Sequence, residues 1–237
     1  MIRLIENELP RGFVSGNDVV SGRLSAWWEA YSRTKFAQFF ETEHGGCIGM
    51  MDTQAIVCAP QEDGEEIGAF LQMQPTVGKV YTTLPDIMSG KATRFTAMSA
   101  THTPNVCGLN SPALQELYTF LESYFDDLPP FEPWYLDVSY RTRHGLCRQT
   151  VIKEDGGIAS AAMTVAEWGN GALIGGVATD PAFRCRGYAG QCVNALTAAL
   201  QKEGKTVWIC PYNESAHRLY LSLGFVDRGT VTVIERM

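Results

Sequence analysis

The sequence predicts an α/β domain in residues 131–237 preceded by an α+β domain in residues 1–128. Three observations carry this. Asp126-Asp127-Leu128-Pro129-Pro130 puts acidic residues and a double proline after a helical pattern, which marks a boundary. Beyond it, apolar runs of strand length alternate with segments of helical periodicity. Charge also differs across the break: residues 1–130 carry 8 Lys and Arg against 16 Asp and Glu, residues 131–237 carry 11 against 10. A length of 237 residues fits one large domain or two small ones, at roughly 100–200 residues per domain.

In the first half, residues 20–31 have helical periodicity. Trp27 and Trp28 suit the packed face of that helix better than a ligand platform. Residues 36–41 and 47–58 predict strands around the turn His44-Gly45-Gly46. A short helix over 65–73 and a strand over 77–83 follow. The run Glu62-Asp63-Gly64-Glu65-Glu66 reads as a solvated helix start, because carboxylates favour a first turn. Leu114, Leu117, Tyr118, Leu121 and Phe125 share one helical face, with Ser111 as N-cap and Pro112 at the first helical position. Strand–helix alternation in this half allows a degenerate copy of the fold that follows it.

In the second half, residues 134–143 predict a helix. Strands over 147–153 and 158–165 flank the turn Glu154-Asp155-Gly156-Gly157, and a third strand covers 172–179. A helix starts within 187–190 and continues through Val193, Leu196 and Leu200 to Gly204. Residues 206–210 predict a buried strand, 213–223 a helix, and 225 onward one or two closing strands.

Composition excludes several classes. A formal net charge of −7 argues against nucleic-acid binding, which needs surplus Lys and Arg against phosphate. No apolar run approaches the ~18 residues of a membrane helix, and no basic-then-apolar leader stands at the N-terminus. The cysteines number seven, an odd count with no CxxC pair, which predicts reduced thiols in a cytoplasmic protein. No metal is expected.

One stretch carries chemistry. Residues 184–190 read RCRGYAG, between a predicted strand and a predicted helix. Gly187, Ala189 and Gly190 let backbone N–H groups face outward, and the first turn of the helix leaves its N–H groups unpaired at the positive end of the dipole. This is an anion site suited to a diphosphate. It is neither GxxxxGK[ST] nor GxGxxG. A plain helix start is the alternative, and the surroundings decide between them.

ATDPAFRCRGYAG, residues 178–190, resembles motif A of the GNAT superfamily of acyl-CoA-dependent N-acetyltransferases. NESAHRLYLSLGF, residues 213–225, resembles that family's motif B, with Asn213, Ala216, Leu219, Tyr220, Gly224 and Phe225 in place. The resemblance covers residues 131–237. It implies a mixed central sheet with splayed strands, flanked by helices. It also implies acetyl-CoA as acyl donor, its pyrophosphate on the backbone of Arg184, Cys185, Arg186, Gly187, Tyr188, Ala189 and Gly190. The pantetheine arm would lie in the slot beside Val177, Ala178 and Thr179, with Asn213 and Tyr220 also against it. Gly175-Gly176 suits a bulge or a close ligand approach, with a packing glycine the equal alternative. Cys185 stands where many members have glycine, so its side chain must point away. A nucleophilic role for it ranks low.

The implied reaction is acetyl transfer to a primary amine, a small-molecule amine favoured. Tyr220 is then the general acid to the departing thiolate, and the N–H of Val177 or a neighbour the oxyanion donor. Glu167, Asp137 and His144 are candidate bases, each with a competing structural reading, and His217 faces away. The alternatives are acetylation of a protein amine, a longer acyl donor, or an acyl-CoA-binding regulatory module without turnover. A homodimer is compatible with all of them.

Overall fold

The computed structural model describes residues 1–6, 18–84, 86–106 and 108–236. Cys107 lies outside them. The chain begins with β1 (Arg3–Leu4), α1 (Val19–Tyr31), β2 (Gln38–Glu41), β3 (Cys47–Met51) and β4 (Gln54–Cys58). A 3-10 turn, Gln61–Asp63, leads into α2 (Gly64–Gln72), β5 (Lys79–Thr82) and β6 (Lys91–Ala100). Next come α3 (Leu114–Glu122), α4 (Phe131–Arg143), β7 (Gln149–Glu154), β8 (Gly157–Trp168) and β9 (Gly171–Thr179). A second 3-10 turn, Pro181–Phe183, precedes α5 (Tyr188–Gln201), β10 (Thr206–Ile209), α6 (Glu214–Ser222) and β11 (Phe225–Glu235). Contacts divide the chain into two units, Met1–Ala97 with Arg228–Met237, and Met98–Asp227.

In the first unit the strand order is β1-β2-β3-β4-β5-β11. Only β4 and β5 are parallel, joined by α2. Asp18 caps α1 by accepting from the N–H groups of Val20 (2.8 Å) and Ser21 (3.0 Å), while the Ser21 hydroxyl takes the Asp18 N–H. The two tryptophans pack as the sequence predicts: Trp27 is buried and Trp28 meets Phe39 edge-on, ring centroids 5.0 Å apart. Gly49 is required on β3 because a Cβ there would stand 2.5 Å from Leu24 Cδ1 of α1. The opposite face of this sheet carries Ile48, Val57 and Val80 under Ile67 and Leu71 of α2.

The acidic run is not wholly solvated. Asp63 is buried and accepts from the Thr42 hydroxyl (2.5 Å) and from His44 Nδ1 (2.6 Å), so it ties the turn after β2 to the start of α2. The Thr42 oxygen in turn accepts from the Gly46 N–H at 2.7 Å. The sequence hid this because a carboxylate at a helix start has an adequate reason to be exposed.

In the second unit the order is β6-β10-β9-β8-β7, with β9 and β10 parallel across α5. Met98, Ile174, Leu196, Val207 and Phe225 fill the face under α5 and α6. Leu117, Leu121, Trp134, Val138 and Met163 fill the face under α3 and α4. Four features differ from expectation. The one strand expected over 47–58 is two, β3 and β4, folded back on each other at Asp52, whose φ is +51°. The cap of α3 is Ala113, and Ser111 instead donates its hydroxyl to the Gln149 carbonyl at 3.3 Å. α4 starts at Phe131, three residues early, because Pro133 in a first turn forfeits no intrahelical bond and Phe131 packs on Tyr118 at 5.0 Å. β6 was not predicted. Its first four residues, Lys91 to Arg94, are exposed, and only Ala97 to Ser99 are buried, opposite β10.

Glu167 lies in β8, not in a turn, and is almost fully buried. It accepts from the Thr164 hydroxyl (2.7 Å) and pairs with Lys205 (2.9 Å) and Arg148 (3.3 Å), which also holds Glu203 at 2.7 Å. The group pins the ends of β7, β8, α5 and β10 together. Removing one member of a buried ion pair strands the others, so Glu167→Ala should lower unfolding free energy by about 3–5 kcal/mol, read by urea denaturation. A loss below 1 kcal/mol would show that the cluster is not structural.

The Asp63 clasp has a pH signature. The hydrogen bond to Asp63 raises the His44 pKa. Burial pushes Asp63 up, but the bonds from Thr42 and His44 outweigh it and leave its pKa lowered. A raised histidine adds stability that is full below its unfolded value near ~6.5 and fades as pH rises through the folded value. A lowered carboxyl adds stability that is full above its unfolded value near ~3.9 and fades as pH falls through the folded one. Melting temperature should therefore fall on both sides of the pH 4–6.5 window, and His44→Ala should flatten the alkaline side.

Candidate active site

The site begins with a broken register. Ala161 pairs with Ala178 and Met163 with Gly175, so Gly176 and Val177 together oppose Ala162. Gly176 sits at φ +56°. This is the bulge that the double glycine allowed. Gly175 serves packing, since a Cβ there would stand 2.7 Å from Val165 Cγ1. Both readings of the pair hold, one for each glycine.

The bulge coincides with a divergence. β10 pairs with β9 from Thr206↔Gly171 to Ile209↔Ile174 and stops, while β9 runs on to Thr179. Gly175, Gly176, Val177, Ala178 and Thr179 therefore have no β10 partner, and the two parallel strands open at their carboxyl ends. Ligands of open α/β sheets enter at such places. Beneath the opening, Ser160, fully buried, donates its hydroxyl to the Ala178 carbonyl at 2.9 Å and lies 2.9 Å from the Thr179 hydroxyl.

The loop after β9 is held from below. Asp180 accepts from the Ala182 N–H (2.8 Å) and from the Tyr124 hydroxyl (3.2 Å), and the Arg184 guanidinium bonds the Thr179 carbonyl at 3.2 Å. Arg186 lies over the Phe183 ring at 5.1 Å. Tyr188 donates to Glu154 in β7, and that bond raises the Tyr188 pKa. Cys185 and Gly187 both have left-handed backbone, φ +60° and +78°. Among the described residues, the N–H groups from Cys185 to Gly190 form no hydrogen bond; the first to bond is Gln191, to the Gly187 carbonyl at 3.1 Å. Six consecutive free amides thus lead into the 14-residue α5, in a stretch that also holds Arg184 and Arg186, an arrangement suited to an anion.

The left-handed backbone explains the one departure from motif A. Glycine takes φ > 0 freely, and Cys185 takes it at a cost. Its side chain is exposed and it keeps its free N–H. Gly190 differs from the expectation of an outward opening. It is buried and packs toward Leu219 of α6 and Leu223 just after it, which a Cβ would meet at 3.4–3.9 Å, so it lies on the helix face turned to α6.

α6 places the other residues. Asn213 caps it, accepting from the Ala216 N–H at 2.9 Å. Tyr220 is buried beside Cys210, the residue after β10, and packs with Phe225 at 6.1 Å. Burial and the nearby Cys210 thiol push its pKa up to about 12. The hydroxyl makes no hydrogen bond to any described residue. His217 bonds Asp227 at 2.9 Å, which accounts for its facing away. The candidate bases are all engaged: Glu167 in its ion cluster, Asp137 with Arg141 at 2.5 Å, and His144 on the Tyr140 carbonyl at 2.8 Å. Sequence reading missed Ser160, Tyr124 and Glu154, which hold the slot and loop from other elements. No local pattern announces a contact between residues 56 positions apart, such as Tyr124 with Asp180.

Residues 112–225 match the model of the Acetyltransferase (GNAT) family. The chain carries a GNAT acetyltransferase domain. It is an acyltransferase enzyme. Solved structures repeat the fold. A GNAT-family acetyltransferase from Novosphingobium aromaticivorans is 20% identical with TM-score 0.60, over 79% of this chain and 86% of that one. A GCN5-related N-acetyltransferase from Kribbella flavida is 15% identical with TM-score 0.60, over 93% and 96%. A GNAT acetyltransferase from Colwellia psychrerythraea is 14% identical with TM-score 0.55, over 100% of both chains. These likenesses concern fold alone. No curated protein matches the chain.

The GNAT loop depends on Gly187 being able to stay left-handed. Gly187→Ala should cost about 1–2 kcal/mol locally and weaken acetyl-CoA binding about tenfold or more, read by calorimetry. Unchanged affinity would dissociate the loop from the cosubstrate.

Proposed function

We propose that this domain transfers an acetyl group from acetyl-CoA to a primary amine by direct attack, a small-molecule amine being the favoured acceptor. The observation that carries the reading is the meeting of the free-amide cradle at residues 184–190 with the opening between β9 and β10. The cradle suits a pyrophosphate, and the opening suits the extended arm that leads from it to the thioester.

In this reading the cradle fixes one end of acetyl-CoA and the edge of Val177, Ala178 and Thr179 fixes the arm. The thioester then stands near the bulge, where the N–H of Val177 or a neighbour stabilises the carbonyl oxygen as it gains charge. The neutral amine attacks the carbonyl carbon, the C–S bond breaks, and the thiolate takes a proton from the Tyr220 hydroxyl. A phenol held at about 12 is fully protonated near neutrality, and with no acceptor among the described residues its proton is available to the departing thiolate. The amine's own proton passes to water, because Glu167, Asp137 and His144 are committed elsewhere.

Loss of the acid should cost rate and leave affinity alone. Tyr220→Phe is expected to lower kcat by about 100-fold or more with KM for acetyl-CoA within about twofold, measured by thiol release against a panel of amines. An unchanged kcat would remove Tyr220 from the chemistry. The pH profile should rise toward the acceptor's pKa near ~10 as the amine loses its proton, with no Tyr220-linked fall below about 12.

A further inference from the structure

We infer that the first unit is a second copy of the acyltransferase fold that has lost its acyl-CoA site, so that the chain binds one acyl-CoA and not two. The inference rests on the reading of residues 184–190 given above and extends it to the whole chain.

The duplication is visible in the pairing. In the first unit β2–β3 and β3–β4 are antiparallel, β4–β5 parallel, and β5–β11 antiparallel. In the second, β7–β8 and β8–β9 are antiparallel, β9–β10 parallel, and β10–β6 antiparallel. The parallel pairs are bridged by α2 and by α5, and the first of these strands follows α1 in one unit and α4 in the other. Four pairings in one order of senses, with a helix at the same crossover, is the same fold written twice. The outermost strand is exchanged. β6 follows β5 in sequence but pairs with β10, whereas β11 follows α6 but pairs with β5.

The loop equivalent to RCRGYAG lacks the arginines and the left-handed residues of the cradle. It reads Ala59-Pro60-Gln61-Glu62-Asp63-Gly64-Glu65-Glu66, with four carboxylates and no cation. Pro60 has no N–H, and the Asp63 N–H is taken by the Pro60 carbonyl at 3.2 Å. Gly64 is right-handed, φ −58°, and none of residues 59–66 has the left-handed backbone of Cys185 and Gly187. Glu65 and Glu66 stand in the first turn of α2, and Glu66 accepts from the Ile2 N–H at 3.0 Å and pairs with the N-terminal ammonium at 3.0 Å. A diphosphate placed there meets the like charge of four carboxylates.

The slot is missing as well. β4 pairs with β5 in unbroken register from Gln54↔Lys79 to Val57↔Thr82, and β4 ends one residue later at Cys58. In the second unit β9 runs five residues past its last β10 partner. After β5, the described residues of 83–90 form no helix, so nothing stands where α6 carries Tyr220.

The test is titration of the full-length protein with acetyl-CoA by calorimetry, repeated with Gly187→Val and with the exposed Arg186→Glu. The expected stoichiometry is one per chain in the unaltered protein. Gly187→Val should abolish binding, and Arg186→Glu, which reverses an exposed charge and gives up the stack on Phe183, should weaken it at least tenfold without changing the circular dichroism. Two acetyl-CoA per chain would overturn the inference and leave the reading of residues 184–190 standing. One per chain that survives both substitutions would place the site elsewhere and overturn the inference too. No binding in the unaltered protein would overturn the reading of residues 184–190 itself, and the inference with it.

Discussion

The candidate site depends on where two parallel strands stop pairing. β9 and β10 share four registered positions and then part at Ile174 and Ile209. A parallel ladder leaves no room for a ligand between its strands, so the slot exists only because the ladder ends early. The cause lies on the other edge of β9, where Gly176 and Val177 take the space of one residue opposite Ala162. A bulge bends a strand and increases its twist. It carries the carboxyl end of β9 off the line that β10 follows. The positive φ of Gly176 and the 2.7 Å approach of Val165 to a Gly175 Cβ show that neither glycine is replaceable without moving a neighbour.

The chain spends conformational freedom in the same place. The cradle needs amides that point one way, and an alternation of left-handed residues gives that concavity. One of the two is not glycine. Cys185 holds φ +60° on the exposed surface, with no partner to compensate, where an L side chain is disfavoured. The support comes from around it: Arg184 on the Thr179 carbonyl, Asp180 capping the preceding turn and bonded by Tyr124, and Tyr188 on Glu154. A loop tied at both ends to β9, α3 and β7 keeps its backbone conformation when its own residues do not prefer it.

Much of this was legible in the sequence, for local reasons. The glycines of RCRGYAG, the cap at Asn213 and the helical spacing of Ala216 and Tyr220 are each set by residues within one turn of one another. The helices and most of the strands follow from periodicity and turn residues, but β1, β6 and the break between β3 and β4 do not. What was not legible depends on distant partners. β6 is a strand because Met98 and Ser99 face Ile209 and Trp208, over 100 positions away, while its polar first half resembles a loop. Glu167 looked like a base because a lone carboxylate near the site is indistinguishable by sequence from one buried between Lys205 and Arg148. Asp63 sits in a run of acids and no local feature sets it apart from them, though Thr42 and His44 hold it in the interior.

The same limit applies to where the acyltransferase unit begins. Motifs A and B and the match over residues 112–225 locate the chemistry, and both leave out β6. Yet the edge of β10 away from β9 is covered by β6, and Met98 belongs to the core that holds Ile174, Val207 and Tyr220. Without that strand β10 presents an unpaired edge and Tyr220 loses part of its packing. In the other direction, β5 is completed by the last residues of the chain, Thr232 to Glu235. Each unit is therefore closed by a strand that lies, in sequence, next to the other. This makes the two folds mutually dependent by covalent connection alone.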